Sequence, residues 1–188
     1  MSKVAVVLAD GFEEIEALTV VDVLRRANID CDMVGFKEQV TGSHAIQVKA
    51  DRVFDGDLSD YDLLVLPGGM PGSVHLRDNN ALICEIQSFE QAGKKIAAIC
   101  AAPIALHQAG VLKNKQFTCY DGVQEQISDG QYIKKTVHVD GQLITSRGPA
   151  TALAFAYELV DQLGGDSASL REGMLYRDVF EKKALCQL

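Results

Sequence analysis

The chain lacks several features that would assign it quickly. No CxxC pair links its five cysteines, so neither a zinc site nor a disulfide framework is indicated, and an odd set of free thiols implies a reducing, cytoplasmic setting. No apolar run reaches membrane-spanning length, and the first residues enter a strand-like segment without the basic and long apolar regions of a secretion signal. Basic residues are scattered and outnumbered, 18 against 26 acids, for a net charge of −8. That balance repels phosphate backbones and anionic lipid, arguing against direct nucleic-acid or membrane binding. No Pro-, Ser- or charge-rich stretch marks a linker, and no repeat is visible, so residues 1–188 are expected to form one domain.

What is present is an alternation of strands and helices. Lys3–Ala9 is a continuous β-branched run, followed by a helix over Glu13–Ala27 with acids in its first turn and arginines in its last, then a strand over Asp30–Phe36. Val40–Val53 is less apolar and reads as an edge hairpin. Strands are expected at Tyr61–Leu66, Lys95–Ile99 and Gln116–Cys119, and a hairpin at Thr136–Ser146 around Asp140-Gly141. Helices are expected at Asn80–Ala92, Ala102–Ala109 and Thr151–Leu163, with one more helix and a less ordered end beyond Asp166. This order predicts an α/β fold with a doubly wound, mostly parallel sheet between helices.

One cysteine stands apart. In Ala97-Ala98-Ile99-Cys100-Ala101-Ala102-Pro103 a buried strand ends, one residue turns and a helix begins. That is the geometry of a nucleophile elbow, which crowds its flanks and therefore needs small neighbours. The following helix should draw the Cys100 thiol toward thiolate. The alternative is a core cysteine packed between strand and helix. Glu16 shares a helix face with Val20, Val23 and Ala27, so its carboxyl points inward, where desolvation raises its pKa and lets it donate a hydrogen bond to a thiolate. Glu13 and Glu14 read as first-turn acids complementing the helix dipole. Gly68 and Gly69 follow a strand end, where their amides, with that of Ala101, are positioned to form an oxyanion hole; a tight turn would need glycine equally. Among the four histidines, His107 is too far down its helix to activate Cys100, His138 reads as solvent-facing, and His44 and His75 as loop residues at the surface.

Together ADGFEEIEA (residues 9–17), LPGGMPG (66–72), AAICAAP (97–103) and TSRGPAT (145–151) resemble the ThiJ/PfpI superfamily, nearest the branch of the Parkinson-associated protein deglycase. The resemblance spans nearly the whole chain. It implies a flavodoxin-like fold akin to the class I glutamine amidotransferases, a homodimer, and cofactor-free glyoxalases or deglycases that also serve as oxidative-stress sensors and chaperones. By the same matching Glu16 is the buried glutamate, Cys100 the oxidation-prone elbow cysteine, Gly69 and Ala101 the amide donors, and Arg26 a residue near the dimer interface, with His44 a second dimer-side candidate. Neither metal nor cofactor is implied. Departures narrow the reading. Ala101 stands where protease-like members carry a histidine, no HxE pair of the amidotransferases occurs, and Tyr120 replaces the histidine of some deglycase-like chains, which argues against peptide hydrolysis.

Two functions lead, and a noncatalytic α/β binding module is the third reading, which requires Cys100 to be unreactive. In one, Cys100 adds to a small dicarbonyl such as methylglyoxal, or its adducts, and Glu16 moves a proton, without glutathione. In the other, peroxide converts Cys100 to a sulfinate and the protein is a redox-sensing chaperone.

Overall fold

A computed structural model describes residues 2–181. The strands are β1 (Lys3–Leu8), β2 (Asp30–Gly35), β3 (Gln39–Thr41), β4 (Gln47–Lys49), β5 (Arg52–Val53), β6 (Leu63–Leu66), β7 (Lys95–Ile99), β8 (Gln116–Phe117), β9 (Gln131–Tyr132), β10 (Val137–Asp140) and β11 (Leu143–Ser146). The helices are α1 (Glu14–Arg26), α2 (Gly72–Asp78), α3 (Asn80–Gln91), α4 (Pro103–Gln108), α5 (Ala152–Gln162) and α6 (Ser167–Gly173). Seven strands form the central sheet in the order β10-β11-β7-β6-β1-β2-β5. All neighbours are parallel except β10 and β11, which pair as a hairpin.

The alternation along β1 sets the two layers. Val4, Val6 and Leu8 pack against Val20 and Leu24 of α1 and Phe155 and Leu159 of α5. Ala5 and Val7 face the other way, toward Leu76 of α2, Phe89 of α3 and Leu106 of α4. Because both faces are covered, β1 is apolar at successive positions rather than alternate ones. Each fully buried Val or Leu here contributes roughly 1.5–3 kcal/mol of transfer free energy. The chain runs from β1 to β2 on one side and returns to β6 on the other, so the strand order reverses between β1 and β6. Doubly wound sheets open a crevice at the carboxyl end of such a reversal.

Several local expectations change. The segment over residues 40–53 does not form the sheet edge as a hairpin. Strands β3 and β4 pair only with each other, and the two-residue β5 joins β2 as the edge. The ribbon instead binds the loop after β1, through Gly11 N–H to the Thr41 carbonyl (2.7 Å) and Ser43 N–H to the Phe12 carbonyl (2.8 Å). Helix α2 was not foreseen, nor was β9, which pairs with β8 outside the main sheet. The expected tail helix is α6, followed by a wide helical turn over Arg177–Glu181; the remainder of the tail, with Cys186, lies outside the described residues. No helix among the described residues is long and apolar enough to cross a membrane.

Candidate active site

Three parallel strands deliver the central residues to one end of the sheet. β1 leads through a short loop into α1 and Glu16, β6 ends at Gly68-Gly69, and β7 ends at Cys100. The turn at Cys100 is sharp: its φ is +64°, in the left-handed region that a residue with a side chain rarely adopts, at a cost of about 1–3 kcal/mol. The surroundings hold it there. Its N–H donates to the Ser146 carbonyl (3.1 Å), and its carbonyl accepts from Tyr120 N–H (3.0 Å). Ala101 and Ala102 are buried beside it, as an elbow requires.

Glu16 is fully buried. Its backbone N–H is capped by the Glu13 carboxylate (2.9 Å), and its side-chain Oε2 accepts from Gly68 N–H (2.8 Å). Oε1 is buried with no hydrogen-bond partner, and the Cys100 thiol lies beside this carboxyl. Gly68 makes the approach possible. A Cβ there would fall 2.5 Å from Cys100 Cβ and 2.6 Å from Glu16 Oε2, closer than any side chain allows. Gly69 is required by its φ of +92°.

Burial raises the Glu16 carboxyl to about 7, against the opposing hydrogen bonds from Cys100 and Gly68. Burial and the neighbouring Glu16 charge push the Cys100 thiol up, while the Gly69 and Ala101 amides pull it down. The expected acidifying helix is therefore not what acts on the thiol. Helix α4 has only six residues, and the local amides work against desolvation. Each charge disfavours the other, so the carboxyl, which burial brings to about 7, ionises before the thiol, whose own ionisation burial and that charge oppose. Two amides face the sulfur, while Gly68 N–H serves Glu16 Oε2 and the buried Oε1 has no partner. The carboxyl is thus the group of the pair that exchanges a proton near neutral pH, directly beside the thiol.

Other assignments shift. The Gly68 amide is spent on Glu16, so it is not free for a substrate oxygen; Gly69 and Ala101 remain the amides at sulfur. Glu14 is not a dipole-complementing surface acid but is buried, accepting from His44 N–H (2.7 Å), the His44 ring (3.0 Å) and Ser43 Oγ (3.3 Å), and so pins the hairpin loop. Glu13, Glu14 and His44 bring three donor atoms within 4.8 Å of one another, but the Glu14 oxygens are engaged by that loop. Arg26, bonded to Asp22 (2.7 Å), sits at the far end of α1 from His44, about 18 Å away by helical rise. None of the histidines contacts Cys100: His75 meets the Asp10 carbonyl (2.8 Å), His107 lies 3.9 Å from Asp129, and His138 is half-buried rather than solvent-facing. The side chain of Tyr120 is 54% exposed at the mouth. The cysteines vary as well, with Cys31 and Cys119 buried and Cys84 exposed.

Residues 2–162 match the DJ-1/PfpI family. The chain belongs to that family. It is 42% identical over 171 residues to Protein dj-1beta of Drosophila melanogaster, covering 88% of this chain and 91% of that one. A protein of Thermococcus kodakarensis named a deglycase is 32% identical over 165 residues, covering 86% and 99% respectively. The structure of Toxoplasma gondii DJ-1, described as oxidized, superposes with a TM-score of 0.89 at 32% identity, covering 93% of this chain and 98% of that one. The chain spans only 40% and 45% of the length of DJ-1 homologs B and A of Arabidopsis thaliana, each 35% identical. The flavodoxin-like, mostly parallel α/β fold is thus common to this DJ-1/PfpI chain and its solved relatives.

Arg147 and Thr151 were passed over as chemistry-bearing residues. Thr151 Oγ1 accepts from Gly148 N–H (3.0 Å) and meets Ser146 Oγ (2.8 Å), which holds Arg147 at the end of β11 beside the elbow. The signal was a polar Thr-Ser-Arg run ending a strand next to the cysteine strand.

Proposed function

We propose that the chain is a cofactor-free, cysteine-dependent glyoxalase or deglycase acting on small reactive dicarbonyls or their adducts, protecting against carbonyl and oxidative stress. The observation that carries this reading is the direct contact between the Cys100 thiol and the buried, proton-holding Glu16. The sulfur adds to the aldehyde carbon of methylglyoxal, and the carbonyl oxygen takes a proton to give a hemithioacetal. Gly69 and Ala101 amides are the donors for the developing oxyanion. Glu16, as carboxylate, then removes the proton from the former aldehyde carbon, giving an enediol, and returns it to the adjacent carbon. The resulting thioester is hydrolysed by water, releasing lactate and restoring the thiol. One thiol and one acid suffice. A glutathione-free lactate assay tests this: wild type turns over, and Cys100→Ser loses about a thousandfold or more. Equal inactivity of both proteins would end the proposal.

A second reading is favoured by the cradle around sulfur. The same carboxyl and two amides are suited to hold a sulfinate, and a relative's structure is described as oxidized. Two equivalents of peroxide would oxidise Cys100 to the sulfinate, each being reduced to water, and the protein would act as a redox-sensing chaperone. Intact-mass and peptide spectrometry after graded peroxide should show a two-oxygen adduct selectively at Cys100, and oxidation spread evenly over the cysteines would count against it. Both readings assume a reducing cytoplasm in which the free thiols persist. A homodimer belongs with them, supported by Ile15 and Ile46, 55% and 52% exposed, which line one surface pocket with His44; sedimentation of the intact chain decides it.

A further inference from the structure

A cavity of about 250 Å³ opens beside the elbow, with Tyr120, Arg147, Pro149 and Thr151 among its walls. Its backbone adjoins that of the elbow by construction. Ser146 pairs with Ile99 across β11 and β7, so the next residues, Arg147 and Cys100, leave neighbouring strand ends about 4.8 Å apart. Tyr120 links the two, since its N–H holds the Cys100 carbonyl while its ring forms part of the cavity.

The wall of this cavity differs in charge from the rest of the protein. Asp121 accepts from Arg147 Nη2 (2.5 Å) and from Lys134 Nζ (3.2 Å), so two cations share one carboxylate and the cluster keeps a net positive charge in a chain of net −8. Among the described residues Asp121 is the only acid lining the cavity. Arg147 Nε is buried without a hydrogen-bond partner, a state that costs free energy. The backbone beneath the side chain is fixed, because Thr151 Oγ1 accepts from both the Arg147 (3.3 Å) and Gly148 (3.0 Å) amides.

We propose that this cavity is a subsite for a carboxylate on the substrate, with Arg147 as its specificity-determining residue. The preferred substrates are then small aldehydes or 2-oxo aldehydes that carry one negative charge within a few bonds of the reacting carbonyl. The inference rests on the dicarbonyl reading of Cys100 and narrows it. The cavity lies below the roughly 300–1,000 Å³ of drug-sized ligand sites, which limits the anionic arm to a few atoms. A carboxylate entering it would sit against the Arg147 guanidinium, with the positive cluster behind, while the aldehyde carbon stays at sulfur.

The test uses two alkylating probes of equal size on the full chain, iodoacetate and neutral iodoacetamide, with the rate at Cys100 followed by peptide mass spectrometry. In each reaction the sulfur forms a bond to carbon, iodide leaves and the thiol proton passes to solvent. The readout is the ratio of iodoacetate to iodoacetamide rates. Arg147→Gln is expected to lower that ratio about tenfold, the worth of one charge-assisted hydrogen bond. Asp121→Asn, which leaves Arg147 and Lys134 uncompensated, is expected to raise it. A general loss of local structure would move both variants in the same direction, and that outcome, or an unchanged ratio in Arg147→Gln, overturns the subsite. Methylglyoxal turnover is measured on the same preparations. Opposite shifts in the ratio without wild-type turnover would remove the glyoxalase reading and leave the carboxylate subsite standing; turnover with an unchanged ratio would remove the subsite alone.

Discussion

The two ends of the central sheet differ in how they treat polar groups. At the amino end lies the larger cavity, about 610 Å³, bordered by Ser2, Asp62, Lys94, Lys95 and Gln162. Its charges are satisfied: Lys94 Nζ donates to the Tyr61 carbonyl (2.9 Å), Lys95 Nζ to Gln162 (3.2 Å), and Asp62 accepts from Lys3 N–H (2.9 Å). At the carboxyl end the spaces are smaller, but a left-handed cysteine, a buried carboxyl with an orphan oxygen and an arginine with an orphan N–H meet within a few residues of three strand ends. Volume therefore does not locate the chemistry. Groups held away from their ordinary hydrogen-bonded or ionised states do, because only they have free energy to release when a substrate arrives.

That contrast can be broken by mutation. The largest effect is expected at Glu16. Glu16→Gln keeps an acceptor for Gly68 N–H and a donor toward sulfur but cannot transfer a proton, so dicarbonyl turnover should fall about a hundredfold or more. The same variant carries a stability prediction. An acid raised from 4.5 to about 7 on folding holds its proton longer in the native state than in the unfolded one, so its stabilising contribution is full below about 4.5 and is lost as pH rises to 7. Denaturant titrations of wild type should lose about 3 kcal/mol across that window, and Glu16→Gln should lose measurably less. Equal slopes would contradict the buried, proton-holding carboxyl.

Gly68→Ala comes next. Its Cβ collides with Cys100 and Glu16 together, so it should cost about 2 kcal/mol by overpacking and reduce turnover at least about tenfold. A fully active, wild-type-stable Gly68→Ala protein would show that the thiol and carboxyl do not need the observed approach. The smallest effect belongs to the amino end. Lys95→Ala removes one partly exposed hydrogen bond, so stability should fall by less than about 1 kcal/mol and turnover stay within about twofold. A large loss of turnover there would erase the distinction between the two ends.

Much of the carboxyl end was legible along the chain because its signals are local. The apolar β7 running into small residues and Pro103 marks the elbow, and the four- and seven-residue spacing of Glu16 from Val20 and Val23 turns its carboxyl inward. What was illegible depends on contacts far apart in sequence. Gly68 gives its amide to a residue 52 positions away, and the β3–β4 ribbon is drawn off the sheet edge by bonds to the loop after β1. Helix α2 begins at Pro71-Gly72 and offers only Leu76 as a fully buried large apolar residue, too short a stripe to declare a helix. The thiol's ionisation was misjudged for a related reason: helix direction is visible in sequence, whereas desolvation is not. Arg147 acquires its role only when Asp121, 26 residues earlier, folds against it.

The central claim is that the buried Glu16 carboxyl holds its proton up to about 7 and that its charge then opposes ionisation of the adjacent Cys100 thiol. The pH profile of Cys100 alkylation by neutral iodoacetamide, in wild type and in Glu16→Gln, tests it most directly. The account predicts a wild-type reactivity midpoint above the ordinary thiol value of 9.0, moved downward in Glu16→Gln, where no charge forms beside the sulfur. A wild-type midpoint at or below 9.0 that Glu16→Gln leaves unmoved or raises would contradict the account.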